Sequence, residues 1–183
     1  MTSTSESVPQ SASRAIARAA VVTHGQAQTI GPALARLATV AREAGVELVL
    51  GAEEVEKHGL DPGSAKDNDV DLAVVLGGDG TMLRGLTRFL GTGVPVIGVN
   101  FGRVGFLTSI ERQDLETGLA RVFAGDFQVV ELPTLDVEVG AERRFALNDV
   151  VVTSAVVGRM IQLEWAVGGE GLGRLDCDGL GCA

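Results

Sequence analysis

Gly77-Gly78-Asp79-Gly80-Thr81 places one carboxylate among three glycines and a hydroxyl, directly after the apolar run Val70 to Leu76. Glycines at such a junction let successive N–H groups face a phosphate, and a following helix adds its positive N-terminal end. A carboxylate inside an anion site is unfavourable unless it has a task. Asp79 would accept a proton from an attacking hydroxyl, or hold Mg²⁺, during phosphoryl transfer. The competing assignment is a tight strand-to-helix turn in which Asp79 is only the N-cap. Chemistry is favoured because the pentapeptide closes a buried strand, and ligands of open α/β sheets bind at the carboxyl ends of the strands.

The elements that must hold this turn are legible in the apolar pattern. Ala19 to Thr23 is a short apolar run suited to a buried strand. From Gln28 to Ala44, the residues Ile30, Leu34, Leu37, Ala41 and Ala44 recur at helical spacing, and Gly45 closes the segment. Val46 to Leu50, Val70 to Leu76 and Val94 to Val99 are further strands. Met82, Leu86 and Phe89 mark a helix ending near Gly91, and Leu115, Leu119 and Val122 mark another. Thr108 and Glu111 fit a capping box at the start of that last helix. Residues 52 to 69 are polar, with a turn signal at Asp61-Pro62-Gly63. This order predicts a parallel open sheet flanked by helices, an α/β fold. After Phe127 the segments FQVVEL, TLDVEV, RRFALNDVVV and RMIQLEWAV are strand-like with no helical pattern between them. The expected organisation is a disordered leader over 1–13, an α/β nucleotide-binding domain over 14–130 and the start of an all-β domain over 131–183.

Composition narrows the ligand. With 15 basic and 24 acidic residues in 183, the formal charge is -9, and the only lysines are Lys57 and Lys66. So acidic a chain is a poor holder of nucleic acid or an anionic membrane through a broad basic face. Phosphate must instead be held locally, by backbone N–H groups, single arginines or a metal, and this points to a small ligand. Cys177 and Cys182 are far in sequence from His24 and His58, so neither a disulfide framework nor a Zn site is expected, and no protein metal site is assigned. No apolar run reaches the roughly 18 residues of a membrane span, and the first residues lack a signal-peptide pattern. The expectation is a cytoplasmic protein.

The Gly77–Thr81 pentapeptide resembles a signature shared by NAD kinases, diacylglycerol-type lipid kinases and, in a near variant, phosphofructokinases. Two further segments choose among them. Asn100-Phe101-Gly102-Arg103-Val104-Gly105-Phe106-Leu107 is similar to the Asn-x-Gly-x-x-Gly-Phe-Leu stretch of NAD kinases. Ala146-Leu147-Asn148-Asp149-Val150-Val151 is similar to their Ala-Leu-Asn-Glu-Val-Val strand, with Asp149 in place of the usual glutamate.

The resemblance implies a Rossmann-like, phosphofructokinase-like sheet and an enzyme that phosphorylates the 2′-hydroxyl of the adenosine ribose of NAD. ATP or polyphosphate would be the donor, with Mg²⁺ screening the phosphates. Asp79 would be the catalytic base. Gly78, Gly80, Thr81 and Arg84 would meet phosphates, and Phe106 would line the adenine pocket. Asn148 and Asp149 would anchor the dinucleotide, with Asp149 reaching about one methylene less than glutamate. Arg159 would lie near a neighbouring subunit's ligand, Asp178 of Cys177-Asp178-Gly179 would contact substrate, and the full-length protein would be a homo-oligomer. Read without the family, Asn148-Asp149 would be a turn, Arg84 an exposed helix arginine, and His24 and His58 structural or exposed.

The chain stops after Asp178-Gly179, where the family continues into a Thr-Pro-Thr-Gly-Ser-Thr-Ala-Tyr loop. A truncated chain is therefore expected, with weak NAD binding and little kinase activity. Two other classes stay open: a lipid or sugar kinase sharing the glycine turn, and a non-catalytic nucleotide-binding protein.

Overall fold

The computed structural model describes residues 10–11, 16–25, 27–58, 69–102, 105, 107–147 and 149–183. These residues divide into two units, Met1–Val130 and Glu131–Ala183. The first contains β1 (Gln10–Ser11), β2 (Arg18–Thr23), α1 (Ala27–Ala44), β3 (Glu47–Leu50), α2 (Ala52–His58), β4 (Leu72–Gly77) and α3 (Asp79–Arg88). It continues through β5 (Val96–Asn100), β6 (Ile110–Glu111), a 3-10 turn at Arg112–Asp114, α4 (Leu115–Phe123) and β7 (Gln128–Val129).

Strands β2 to β6 form one parallel sheet in the order β3-β2-β4-β5-β6. Every residue of the central β4 is buried, as befits a strand covered on both faces. Strand alternation sorts its side chains into two cores. Ala19, Val21, Leu72, Val74 and Leu76 join Leu37 of α1 and Leu115, Leu119 and Val122 of α4 on one side. Ala20, Val22, Ala73 and Val75 join Met82 and Phe89 on the other. The expected doubly covered α/β sheet is therefore present. Gly45 ends α1 as anticipated: its φ is +70°, and the Val46 N–H donates to Ala41 O at 2.8 Å, the wrap-around bond of a helix finished in the left-handed conformation.

Several expectations are corrected. Thr108 and Glu111 do not cap a helix. Ile110 and Glu111 pair with Val99 and Asn100 as β6, and α4 begins only at Leu115, with no side-chain cap from Asp114. The segment instead pairs along the open edge of β5, where its backbone groups find ladder partners. Part of the polar stretch 52 to 69, for which no helix was expected, is the helix α2, and the turn at Asp61-Pro62-Gly63 lies outside the described residues. Within the leader expected to be unstructured, Gln10 and Ser11 pair antiparallel with Val129 and Gln128, since backbone pairing asks nothing of the side chains.

The second unit is all antiparallel. It comprises β8 (Leu135–Val139), β9 (Glu142–Ala146), β10 (Val150–Thr153), β11 (Ile161–Val167), β12 (Glu170–Cys177) and β13 (Gly179–Cys182). These pair as β8-β9, β11-β12 and β10-β13. Strands β11 and β12 meet through Gly168 and Gly169, both with positive φ, which a tight two-residue hairpin turn requires.

Candidate active site

In the sheet order, the chain leaves β2 toward β3 on one side and leaves β4 toward β5 on the other. The segments beyond the carboxyl ends of β2 and β4 therefore diverge, and a crevice opens between them, at the switch point where α/β proteins bind ligands. A cavity of about 610 Å³ lies there. It is walled by His24 and Gly25 after β2, by Gly77, Gly78, Gly80, Thr81 and Arg84 around the start of α3, and by Phe101 and Gly102 after β5.

Gly78 is the extended residue ahead of α3 (φ -101°, ψ -168°), and no side chain caps the helix. Its carbonyl accepts the N–H groups of Thr81 and Met82, both at 3.0 Å. The Thr81 N–H is thereby taken, but the start of an α-helix presents further N–H groups that its own ladder does not use, and together with the helix dipole they favour an anion. Asp79 is the first helical residue rather than the N-cap. Its Oδ1 accepts the Leu107 N–H at 3.1 Å, so the carboxylate holds the segment that follows Asn100. Asp79 itself is not among the residues walling the cavity.

Arg84 is more than an exposed helix arginine. Its Nη2 donates to the Thr23 carbonyl at 2.8 Å, and its Nη1 is 3.8 Å from Glu53. The guanidinium thus reaches from α3 to the end of β2 and stands in the cavity wall.

Around Thr23 lies a cluster that the sequence did not disclose. Glu54 of α2 is only 1% exposed. Its Oε1 accepts the Thr23 N–H at 3.0 Å and the Lys57 ammonium at 3.0 Å, and its Oε2 accepts the Thr23 hydroxyl. That hydroxyl has one proton to give, so it accepts from Nε2–H of His58, 2.8 Å away. Lys57 also donates to Thr23 O at 3.3 Å. Burial alone would raise the Glu54 pKa, but the Thr23 hydroxyl and N–H and the Lys57 ammonium outweigh it and hold the carboxyl below its ordinary range. The only hint in the sequence was Glu54, Lys57 and His58 at spacings of three and four, which share one helix face.

The remaining expected residues fall elsewhere. Phe106 and Asn148 lie outside the described residues. Asp149 is exposed just ahead of β10 in the second unit. Arg159 and Asp178 do come together. With Thr153 and Ser154 they line a second cavity of about 300 Å³ within that unit.

Comparison with known proteins decides the family. A model of the ATP-NAD kinase N-terminal domain matches residues 36–127, half of the chain and the part that carries β3 to α4. The chain belongs to the ATP-NAD kinase family. An NAD kinase of Heliobacterium modesticaldum is 47% identical over 116 residues, covering 61% of this chain and 41% of the relative. An NAD kinase of Thermobifida fusca is 36% identical over 181 residues, covering 86% of this chain and 56% of its own length. The chain thus spans about half the length of the curated relatives it matches. Among solved structures, an NAD kinase from Archaeoglobus fulgidus in complex with ATP superposes with a TM-score of 0.68 at 29% identity, over 88% of this chain and 58% of that one. Yeast NADH kinase complexed with NADH shares the fold, with a TM-score of 0.77 at 20% identity over 98% of this chain and 61% of its own.

Proposed function

We propose that this ATP-NAD kinase family member transfers the terminal phosphate of ATP, or of polyphosphate, to the 2′-hydroxyl of the adenosine ribose of NAD, giving NADP. The observation that carries this reading is the convergence of the glycine turn, the α3 N-terminus and Arg84 on one crevice at the switch point. The relatives named NAD kinase and the 29%-identical structure that holds ATP support it.

In this reading the first-turn amides of α3 and the Arg84 guanidinium receive phosphate oxygens, so charge is met by fixed dipoles that need no rearrangement. Asp79 takes the proton from the 2′-hydroxyl as that oxygen attacks. The Leu107 N–H on one of its oxygens fixes the carboxylate plane, and a carboxylate has about four acceptor positions in all. Because phosphoryl transfer passes through a loose transition state, placement of the two substrates contributes more than base strength. Among the described residues no group of three His, Cys, Asp or Glu side chains could cage a metal ion. The donor set fits Mg²⁺ carried mainly on substrate phosphates, with Asp79 the one carboxylate at the turn, and there the ion would neutralise phosphate charge. Asn148, Asp149 and Asp178 are assigned to the dinucleotide, Phe106 to its adenine, and Arg159 to a neighbouring subunit's ligand in a homo-oligomer. The reading places the protein in the cytoplasm.

Calorimetry with ATP and with NAD, paired with NADP formation by a form extended to the length of its relatives, tests the proposal. Asp79→Asn retains an oxygen for the Leu107 N–H and should lower turnover by ~10² or more. Equal turnover in Asp79→Asn with NAD still bound would remove Asp79 from the chemistry. Binding of neither nucleotide would remove the assignment altogether.

A further inference from the structure

Helix α2 spends a buried charge where an apolar side chain would have sufficed for packing. Glu54 is 1% exposed, and its carboxylate takes both donors of a single residue, the main-chain N–H and the hydroxyl of Thr23. Burying a carboxylate is costly, and replacing such an ion with an apolar residue is often neutral or stabilising. Packing alone therefore does not account for it.

What Thr23 does next is informative. Its carbonyl oxygen accepts from two cations, Arg84 Nη2 at 2.8 Å and Lys57 Nζ at 3.3 Å. Two positive charges converging on one oxygen repel each other unless one is matched. Lys57 is matched, by Glu54 at 3.0 Å and Glu53 at 3.4 Å. Its side chain is only 14% exposed, whereas that of Arg84 is 49% exposed and stands in the cavity wall. Arg84 has only the exposed Glu53, 3.8 Å away and shared with Lys57, and it is the cation of the pair that lines the cavity. His58 joins the cluster through the Thr23 hydroxyl.

We infer that Glu54 is a positioning residue for the phosphate site: by clamping Thr23 and neutralising Lys57, it fixes the carbonyl that aims the Arg84 guanidinium into the cavity. The inference rests on the reading of that cavity as a phosphate site, and it adds a helix absent from the glycine motif. Glu54 itself touches no substrate and acts only through Thr23 and Arg84.

A double-mutant cycle separates positioning from mere support of the fold. Inorganic triphosphate and ATP are titrated by calorimetry into the 183-residue protein, its Glu54→Gln, Arg84→Ala and doubly substituted variants, with urea unfolding measured on each. Glu54→Gln keeps the shape of the side chain and removes its charge. The expected result is about tenfold weaker binding in Glu54→Gln, shrinking to less than about twofold when Arg84 is already alanine. If Glu54→Gln does not fold, Thr23→Val removes the hydroxyl donor at nearly constant volume and should weaken binding in the same Arg84-dependent way. Equal fractional losses with and without Arg84, or unchanged binding in Glu54→Gln or Thr23→Val while Arg84→Ala weakens it, would overturn the positioning role and leave the phosphate site standing. Failure of the unsubstituted protein to bind either ligand would overturn the phosphate site and the inference with it.

Discussion

Two glycines of the same turn should respond oppositely to the same added methyl. A Cβ on Gly77 would come within 2.9 Å of Thr81 Cγ2 and closer still to its Cβ and hydroxyl. Thr81 is 5% exposed in the first turn of α3 and has nowhere to move. Gly77 is equally constrained, because it pairs with Asn100 and its carbonyl accepts the Phe101 N–H at 2.9 Å. Gly77→Ala must therefore push β4 and α3 apart, an overpacking that costs about 1–3 kcal/mol. A Cβ on Gly80 meets nothing within 4 Å, and the residue is helical, so Gly80→Ala should be neutral or stabilising by up to about 1 kcal/mol. The gap of roughly 2–3 kcal/mol corresponds to a urea midpoint difference on the order of 1 M. Because all the α-helices among the described residues lie in the first unit, unfolding followed by circular dichroism at a helical wavelength reports on it directly. Gly80 also walls the cavity, so its methyl should weaken triphosphate binding without loss of stability. Equal destabilisation by the two substitutions would refute this account of the turn.

Leu119 is fully buried in the core between α4 and the sheet, so Leu119→Ala should cost about 2–5 kcal/mol in urea unfolding. Acid should also act through Glu54. Its folded pKa lies below the unfolded value of 4.5, so its stabilisation is fully present above that value and disappears as pH falls through the lower folded one. Glu54→Gln should flatten the stability profile in that acidic window; a profile with the same slope as the unsubstituted protein would contradict the assignment. Gly45→Val forces a branched side chain into φ +70° and should shorten α1 and lower stability by about 1–2 kcal/mol. An unchanged helix signal and urea midpoint would count against that reading of the α1 terminus.

The parts of this fold visible in the sequence are those whose burial is purely apolar. Strand β4 reads as a strand because all its residues are hidden and glycines end it at once. Helix α1 shows through the spacing of Ile30, Leu34, Leu37 and Ala41 against a polar outer face. Helix α2 did not show, because its buried positions include Glu54 and a His58 side chain only 4% exposed, held by hydrogen bonds rather than by hydrophobic contact. An apolar-periodicity reading takes AEEVEKH for a solvated segment. Strand β12 was hidden by Gly171 and Gly173, which weaken any strand pattern. The glycine turn and Arg84, which line the cavity, were legible as candidates, whereas the direction in which Arg84 points was not, since it depends on Thr23, 61 residues earlier in the chain.

Amide chemical-shift mapping can locate phosphate at the carboxyl ends of β2 and β4. On titration with ATP and Mg²⁺, the largest shifts should fall at His24, Gly78, Gly80, Thr81, Arg84 and Gly102. Shifts confined to residues of the second unit, or none at saturating ATP, would contradict that placement.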